Sequence, residues 1–96
     1  MGLKPAKYRS EIKILADILK VIKREARAKP TRILYKANLS YDRLNKYLER
    51  LKSAGLIQEL ENKSKSKYYI LTQKGEEFLN EYRKFERFAE AFGFIL

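Results

Sequence analysis

The hydrophobic pattern changes its period twice along this chain, and that constrains the fold more than any other feature. From Ser10 to Ala54 apolar residues recur at three- and four-residue intervals. From Leu56 to Leu71 the pattern is extended and broken by a polar turn, and after Thr72 helical spacing returns. The predicted order is therefore helix, helix, helix, hairpin, long helix.

Residue chemistry at the boundaries refines this. Ser10 is suited to cap a first helix running to about Arg27, with Ile12, Leu15, Ala16, Ile18, Leu19 and Ile22 on one side. Lys29-Pro30 breaks it. Thr31 caps a short second helix from about Arg32 to Ala37, and Asn38 suits a left-handed exit. Ser40 caps a third, from about Tyr41 to Ala54, whose Leu44, Leu48 and Leu51 form a face beside Tyr47. Gly55 stops it. Leu56–Glu61 and Tyr68–Leu71 read as strands around the turn Asn62–Lys67, and Thr72 caps a last helix from about Gln73 to Phe92. Helices two and three are joined by only about three residues, the spacing of a helix-turn-helix, and the hairpin behind them is its wing. The fold class is mainly α with a small β-hairpin. Residues 1–9 form a flexible basic arm, 10–72 a winged helix-turn-helix, and 73–96 a dimerisation helix with an apolar tail.

Charge is distributed unevenly over these parts. The net charge is +10, with +6 in residues 1–30, +4 in 31–55, +1 in 56–72 and −1 in 73–96. A polyanion should therefore meet the N-terminal three quarters, and the last quarter has another task. With no His and no Cys, the commonest general base, metal ligand and nucleophile are missing. No Gly-rich phosphate loop or paired-carboxylate pattern occurs. These absences speak against an enzyme, a cofactor, a metal or a small-molecule ligand. No apolar run approaches the ~20 residues of a membrane span, and no secretory signal is present, so the expected location is the cytoplasm.

The third helix is the candidate reader of DNA. Opposite its leucine face lie Asp42, Asn45, Lys46, Glu49 and Ser53, with Arg43 and Arg50 on one shoulder and Tyr41 near the other. Helices of this kind reach base edges with their N-terminal half, which selects Tyr41, Arg43, Asn45 and Lys46. Asn can pair with adenine, and Arg or Lys can reach guanine. Asp42 and Glu49 oppose this reading by repelling phosphates. The wing supplies Lys63, Lys65 and Lys67, interleaved with Ser64 and Ser66 whose hydroxyls could join phosphate oxygens. Arg32 at the start of the second helix, Lys36 and Arg50 complete the expected DNA-binding set.

In the last helix Phe78, Tyr82, Phe85, Ala89 and Phe92 are spaced four, three, four, three, which is a heptad seam that Leu79 and Phe88 widen. A helix this long, ~30 Å, should project beyond the small body before it, and a projecting aromatic stripe needs a cover. A homodimer through paired last helices is the simplest cover. A fold-back onto the first helix is the alternative, and the seam does not distinguish parallel from antiparallel pairing.

Two stretches carry a family resemblance. Thr31-Arg32-Ile33-Leu34-Tyr35-Lys36-Ala37-Asn38-Leu39-Ser40-Tyr41, and Tyr69-Ile70-Leu71-Thr72-Gln73-Lys74-Gly75-Glu76-Glu77 followed by Arg83-Lys84-Phe85, resemble the small archaeal winged-helix chromatin proteins of Sulfolobus known as the 10a group. The resemblance covers most of residues 10–88. It implies a dimer joined by an antiparallel coiled coil, two heads on double-stranded DNA, and a nucleoid-associated or regulatory role. The shorter, Phe-rich C-terminus departs from that group and leaves the spacing of the heads open. A winged-helix adaptor that binds protein instead of nucleic acid is the competing functional class.

Overall fold

The computed structural model describes residues 9–95. The expected basic arm therefore lies outside the described residues except for Arg9, as does Leu96 of the tail. The elements run α1 (Glu11–Glu25), α2 (Pro30–Ala37), α3 (Tyr41–Ser53), β1 (Ile57–Glu61), β2 (Lys67–Leu71) and α4 (Gln73–Ala91). The predicted order is thus present, and the departures fall at the boundaries.

Three of the four expected caps are formed. Ser10 Oγ accepts from Lys13 N–H, Ser40 Oγ from Arg43 N–H and Thr72 Oγ1 from Gly75 N–H. Thr31 does not cap α2. Pro30 is itself the first helical residue and Lys29 the cap position, with no side-chain hydrogen bond there. The fixed φ of proline suits the first turn, where its missing N–H costs nothing. Asn38 takes the expected left-handed conformation, at φ 57° and ψ 56°.

The first helix ends two residues earlier than its pattern suggests. Ala26 adopts φ 67° and ψ −48°, and Arg27 N–H donates to Glu25 C=O at 2.7 Å. This is a γ-turn of positive φ, which is rare and strained for a residue with a Cβ. The turn delivers Ala28 to the hairpin, where it exchanges both backbone hydrogen bonds with Tyr69, at 2.9 and 2.8 Å. A single residue thereby bridges to the open side of the antiparallel β1–β2 pair, whose register sets Ile57 opposite Leu71 and Glu61 opposite Lys67. Replacing Ala26 by Gly should stabilise the fold by about 1 kcal/mol. Relief of ~1–3 kcal/mol of strain outweighs the ~0.5–1 kcal/mol entropic cost of glycine. In a thermal melt this appears as a rise of about 5 °C.

The core explains a second departure. α1 packs against α2 and β2 and also against α4. It is therefore buried on more than one face: Ile14 and Val21 are buried beside Ile18, Leu19 and Ile22, whereas Ile12 is exposed. Ile33, Leu44, Leu48, Leu51, Tyr69 and Leu79 close the same core. Gly75 makes the entry of α4 possible, because a Cβ there would sit 2.1 Å from the Leu56 carbonyl oxygen. Thr72 adds to this junction by donating its hydroxyl to the Gly55 carbonyl at 2.7 Å.

Candidate nucleic-acid interface

On α3, Leu44, Tyr47, Leu48 and Leu51 are buried. Tyr41, Asp42, Arg43, Asn45, Lys46, Glu49 and Arg50 are exposed. The geometry matches the face assignment made from spacing. Arg43 leans on its own helix, its guanidinium 5.9 Å from the Tyr47 ring and 3.5 Å from the Tyr47 hydroxyl. Arg50 forms an ion pair with Glu11 of α1. Arg32, in the first turn of α2, donates Nε to Glu25 at 3.1 Å, and Lys36 is exposed one turn later. The two acids expected to oppose DNA, Asp42 and Glu49, do stand on the exposed surface.

The wing turn is ordered by one side chain. Asn62 Oδ1 accepts from Ser64 N–H, Ser64 Oγ–H and Ser66 N–H at 3.0, 2.9 and 2.9 Å. Asn62 N–H also donates to Ser66 C=O, and Lys65 N–H to Asn62 C=O. The proton of the Ser64 hydroxyl is therefore committed inside the turn, so that serine shapes the wing instead of offering a donor to a phosphate. Lys63, Lys65 and Lys67 are exposed on this framework. Lys67 also lies 3.4 Å from Glu59, whereas Lys36, Lys46, Lys63 and Lys65 carry no ion pair among the described residues.

Glu59 ties the wing root to α3. It accepts from Lys52 Nζ and from the Tyr69 hydroxyl, each at 3.0 Å, while Lys52 also reaches Glu49. The Lys52 hydrogen bond holds the Glu59 carboxyl below its ordinary range against the opposing effect of burial, and Tyr69 adds to the lowering. Burial, followed by the Glu59 hydrogen bond, pushes the Tyr69 phenol up to about 12. A depressed carboxylate contributes stability that is complete above its unfolded value, 4.5, and is lost as pH falls through the folded one. Glu59→Gln should therefore melt lower than the parent at neutral pH, and the gap should close on acidification below that window. Circular dichroism melts across pH check this.

Sequence reasoning placed Arg32 at the start of the second helix as a phosphate contact but missed the cleft that Arg27 and Lys29 build with it at the α1–α2 junction. It measures about 490 Å³ and is lined by Glu25, Arg27, Lys29, Thr31, Arg32 and Tyr35. Arg27 stacks 5.3 Å from the Tyr68 ring of β2, which joins this cleft to the wing. Its visible sequence signals are Lys29-Pro30 and Arg32. The Ala26 turn that brings Glu25 and Arg27 to the same cleft has no marker such as Gly.

The arrangement of three helices and a wing is decisive when set against known proteins. A winged helix-turn-helix family model matches residues 8–90. The chain belongs to the winged helix-turn-helix family. No curated protein matches it. Among solved structures it is similar to Sso10a-2, a DNA-binding protein from Sulfolobus solfataricus, with TM-score 0.77 and 27% identity over 88% of this chain and 85% of that one. The resemblance to the Sulfolobus 10a group is thus borne out. The transcriptional regulator BldR from the same organism has TM-score 0.72 at 16% identity, covering 85% of this chain and 61% of its own. MarR from E. coli has TM-score 0.67 at 19% identity, with 80% and 54% covered. These two share the fold, and this winged-helix chain spans little more than half of their length.

The expected dimer seam on α4 divides in two. Leu79 is sealed in the chain's own core, Phe78 packs against it, and Tyr82 is buried with its hydroxyl lacking a hydrogen-bond partner among the described residues. Lys20 of α1 lies over the Tyr82 ring at 5.5 Å and pairs with Glu86 at 3.4 Å, and Lys23 pairs with Glu76 at 2.6 Å. This half of α4 therefore folds back on α1. Beyond it Phe85, Phe88 and Phe92 stand 55%, 61% and 65% exposed. Gly93, at φ 85°, closes the helix: Phe94 N–H donates to Ala89 C=O and Gly93 N–H to Glu90 C=O, the Schellman pattern. That closure turns Phe94 back to line one apolar groove with Phe85, Phe88, Ala89 and Phe92. Among the described residues no helix is long and apolar enough to cross a membrane.

Proposed function

We propose that this winged-helix protein binds double-stranded DNA as a homodimer held by the C-terminal half of α4, with weak sequence selectivity. One observation carries the reading: cations without an ion-pair partner among the described residues stand on the wing, α2 and α3, while the exposed phenylalanines gather at the far end of α4. The first surface suits a polyanion and the second suits another copy of itself. Sso10a-2 is described as a DNA-binding protein, and the regulators sharing the fold favour the same partner.

The proposed contacts to phosphate are Arg32, Lys36, Arg50, Lys63, Lys65 and Lys67, while Tyr41, Arg43, Asn45 and Lys46 face the groove. Weak selectivity follows from Asp42 and Glu49 on the reading face and from Arg43 resting on Tyr47. Such binding fits a packaging role on the nucleoid in the cytoplasm better than reading a single operator. Within the dimer, Phe85, Phe88 and Phe92 meet the partner helix, whereas Phe78, Leu79 and Tyr82 serve mainly the chain's own core and Ala89, only 5% exposed in the single chain, forms the floor of the groove among the phenylalanines.

Titration of random and selected duplexes at two salt concentrations, beside a solution mass, tests the whole reading. Affinity should fall steeply with salt, by roughly 0.9 in log–log slope per phosphate engaged, and differ little between sequences. Affinity independent of salt, or a monomeric mass, would overturn it. Capture of protein partners with no duplex binding would instead establish the adaptor class.

A further inference from the structure

We propose that the partner interface extends beyond α4 onto the start of α1 and the chain's tail, and that a hole between Ile12, Phe85 and Ile95 receives a phenylalanine ring from a second copy of this chain. This rests on the homodimer reading above and adds residues that α4 alone does not supply. The uncovered part of α4 is short. From Phe85 to Ala91 the helix advances only ~10 Å, one heptad, whereas a coiled-coil seam runs over about three to four heptads or more. Its area is small as well. Phe85, Phe88, Phe92 and Phe94, each 55–66% exposed, offer together about 500 Å² of ring surface, against ~800 Å² per partner in a stable interface. Ile12 in the first turn of α1, 45% exposed, and Ile95, 91% exposed, bring the apolar patch to roughly 800 Å².

The six residues form one surface. Ile12, Tyr82, Phe85 and Ile95 line a hole of about 380 Å³, and Phe85 also lines the groove that holds Phe88, Phe92 and Phe94. Arg9 and Lys13 line the hole too, but both are bound to Asp17, at 2.9 and 3.1 Å. With their charge already matched, the hole suits an apolar guest better than an anion. A two-fold interface must be self-complementary, and this patch carries both the hole and, in Phe88 and Phe92, the rings to fill it. The consequence reaches the head. α1 is the helix on which α2, β2 and α4 all pack, so a partner seated on Ile12 grips the head itself as well as the helix leading out of it.

Sedimentation equilibrium of the full chain over a dilution series reads the dimer dissociation constant. Ile12→Asp and Ile95→Asp should each raise it about tenfold or more, because each removes apolar surface from the interface and puts a carboxylate in its place. Ile12→Leu keeps the apolar area and should stay within about threefold of the parent. Tyr35→Ser removes an exposed aromatic residue from α2 and should leave the constant unchanged. An acid in the first turn of α1 suits the helix dipole, so Ile12→Asp should fold, and Ile12→Ser gives a second reading if it does not. Dimers as tight as the parent in Ile12→Asp, Ile12→Ser and Ile95→Asp, while Phe88→Asp with Phe92→Asp dissociates, would confine the interface to α4 and overturn the extension alone. A lower melting temperature in Ile12→Asp with an intact dimer would mean that the chain covers Ile12 itself, which overturns it too. A monomeric parent overturns the homodimer reading, and this inference with it.

Discussion

Charge reversal of the wing, Lys63→Glu with Lys65→Glu and Lys67→Glu, should lower duplex affinity by about a hundredfold or more at low salt, because three cations leave the surface proposed to face phosphate and three anions take their place. The three side chains are exposed and the turn beneath them is held by Asn62, so the wing keeps its shape while its field changes sign. Lys67 needs care, because K67E would set two carboxylates together at the wing root, where Glu59 already bonds Lys52 and Tyr69. The double variant K63E/K65E avoids that clash of charges and should keep most of the effect. Fluorescence anisotropy against duplex, with a melt for each variant, reads both outcomes. Parental affinity in K63E/K65E would remove the wing from the interface.

The second large effect belongs to the far end of α4. Phe88→Asp combined with Phe92→Asp should convert the proposed dimer to a monomer while leaving each head folded. In the single chain both rings are mostly exposed and touch each other, with centroids 5.1 Å apart, so the chain's own core does not depend on them. Buried aromatic anchors carry about 2–4 kcal/mol each at protein interfaces, and a carboxylate in their place must also be desolvated. Losing both shifts the dimer dissociation constant by at least about a thousandfold. DNA affinity should drop as well, because two linked heads gain roughly 10²–10⁴ from effective concentration. Sedimentation or light scattering gives the mass, and anisotropy gives the affinity. An unchanged dimer would place the interface elsewhere on the chain, and a monomeric parent would end the proposal outright.

Much of the architecture is legible in the sequence. The period of the apolar residues, the Ser10, Ser40 and Thr72 caps and the Asn38 exit all depend on interactions within a few residues, and local chemistry suffices for them. The outward face of α3 is legible for the same reason, since a helix of known phase has a known outside.

What the sequence could not decide involves partners outside the local repeat of one helix or strand. Whether Arg32, Arg50 and Lys67 carry free or neutralised charge depends on Glu25, Glu11 and Glu59, which local periodicity does not place beside them. The early end of α1 depends on Ala28 finding Tyr69, far along the chain, with two backbone hydrogen bonds outweighing two more residues of helix. The seam of α4 shows the same division. Its heptad spacing is plain, but spacing reports only that a stripe is apolar and not what covers it. By itself the sequence determined a winged helix with a basic front and an aromatic last helix. Tertiary packing alone assigned Leu79 and Tyr82 to the chain's own core and left Phe85, Phe88 and Phe92 uncovered, because α1 meets α4 along only part of its length.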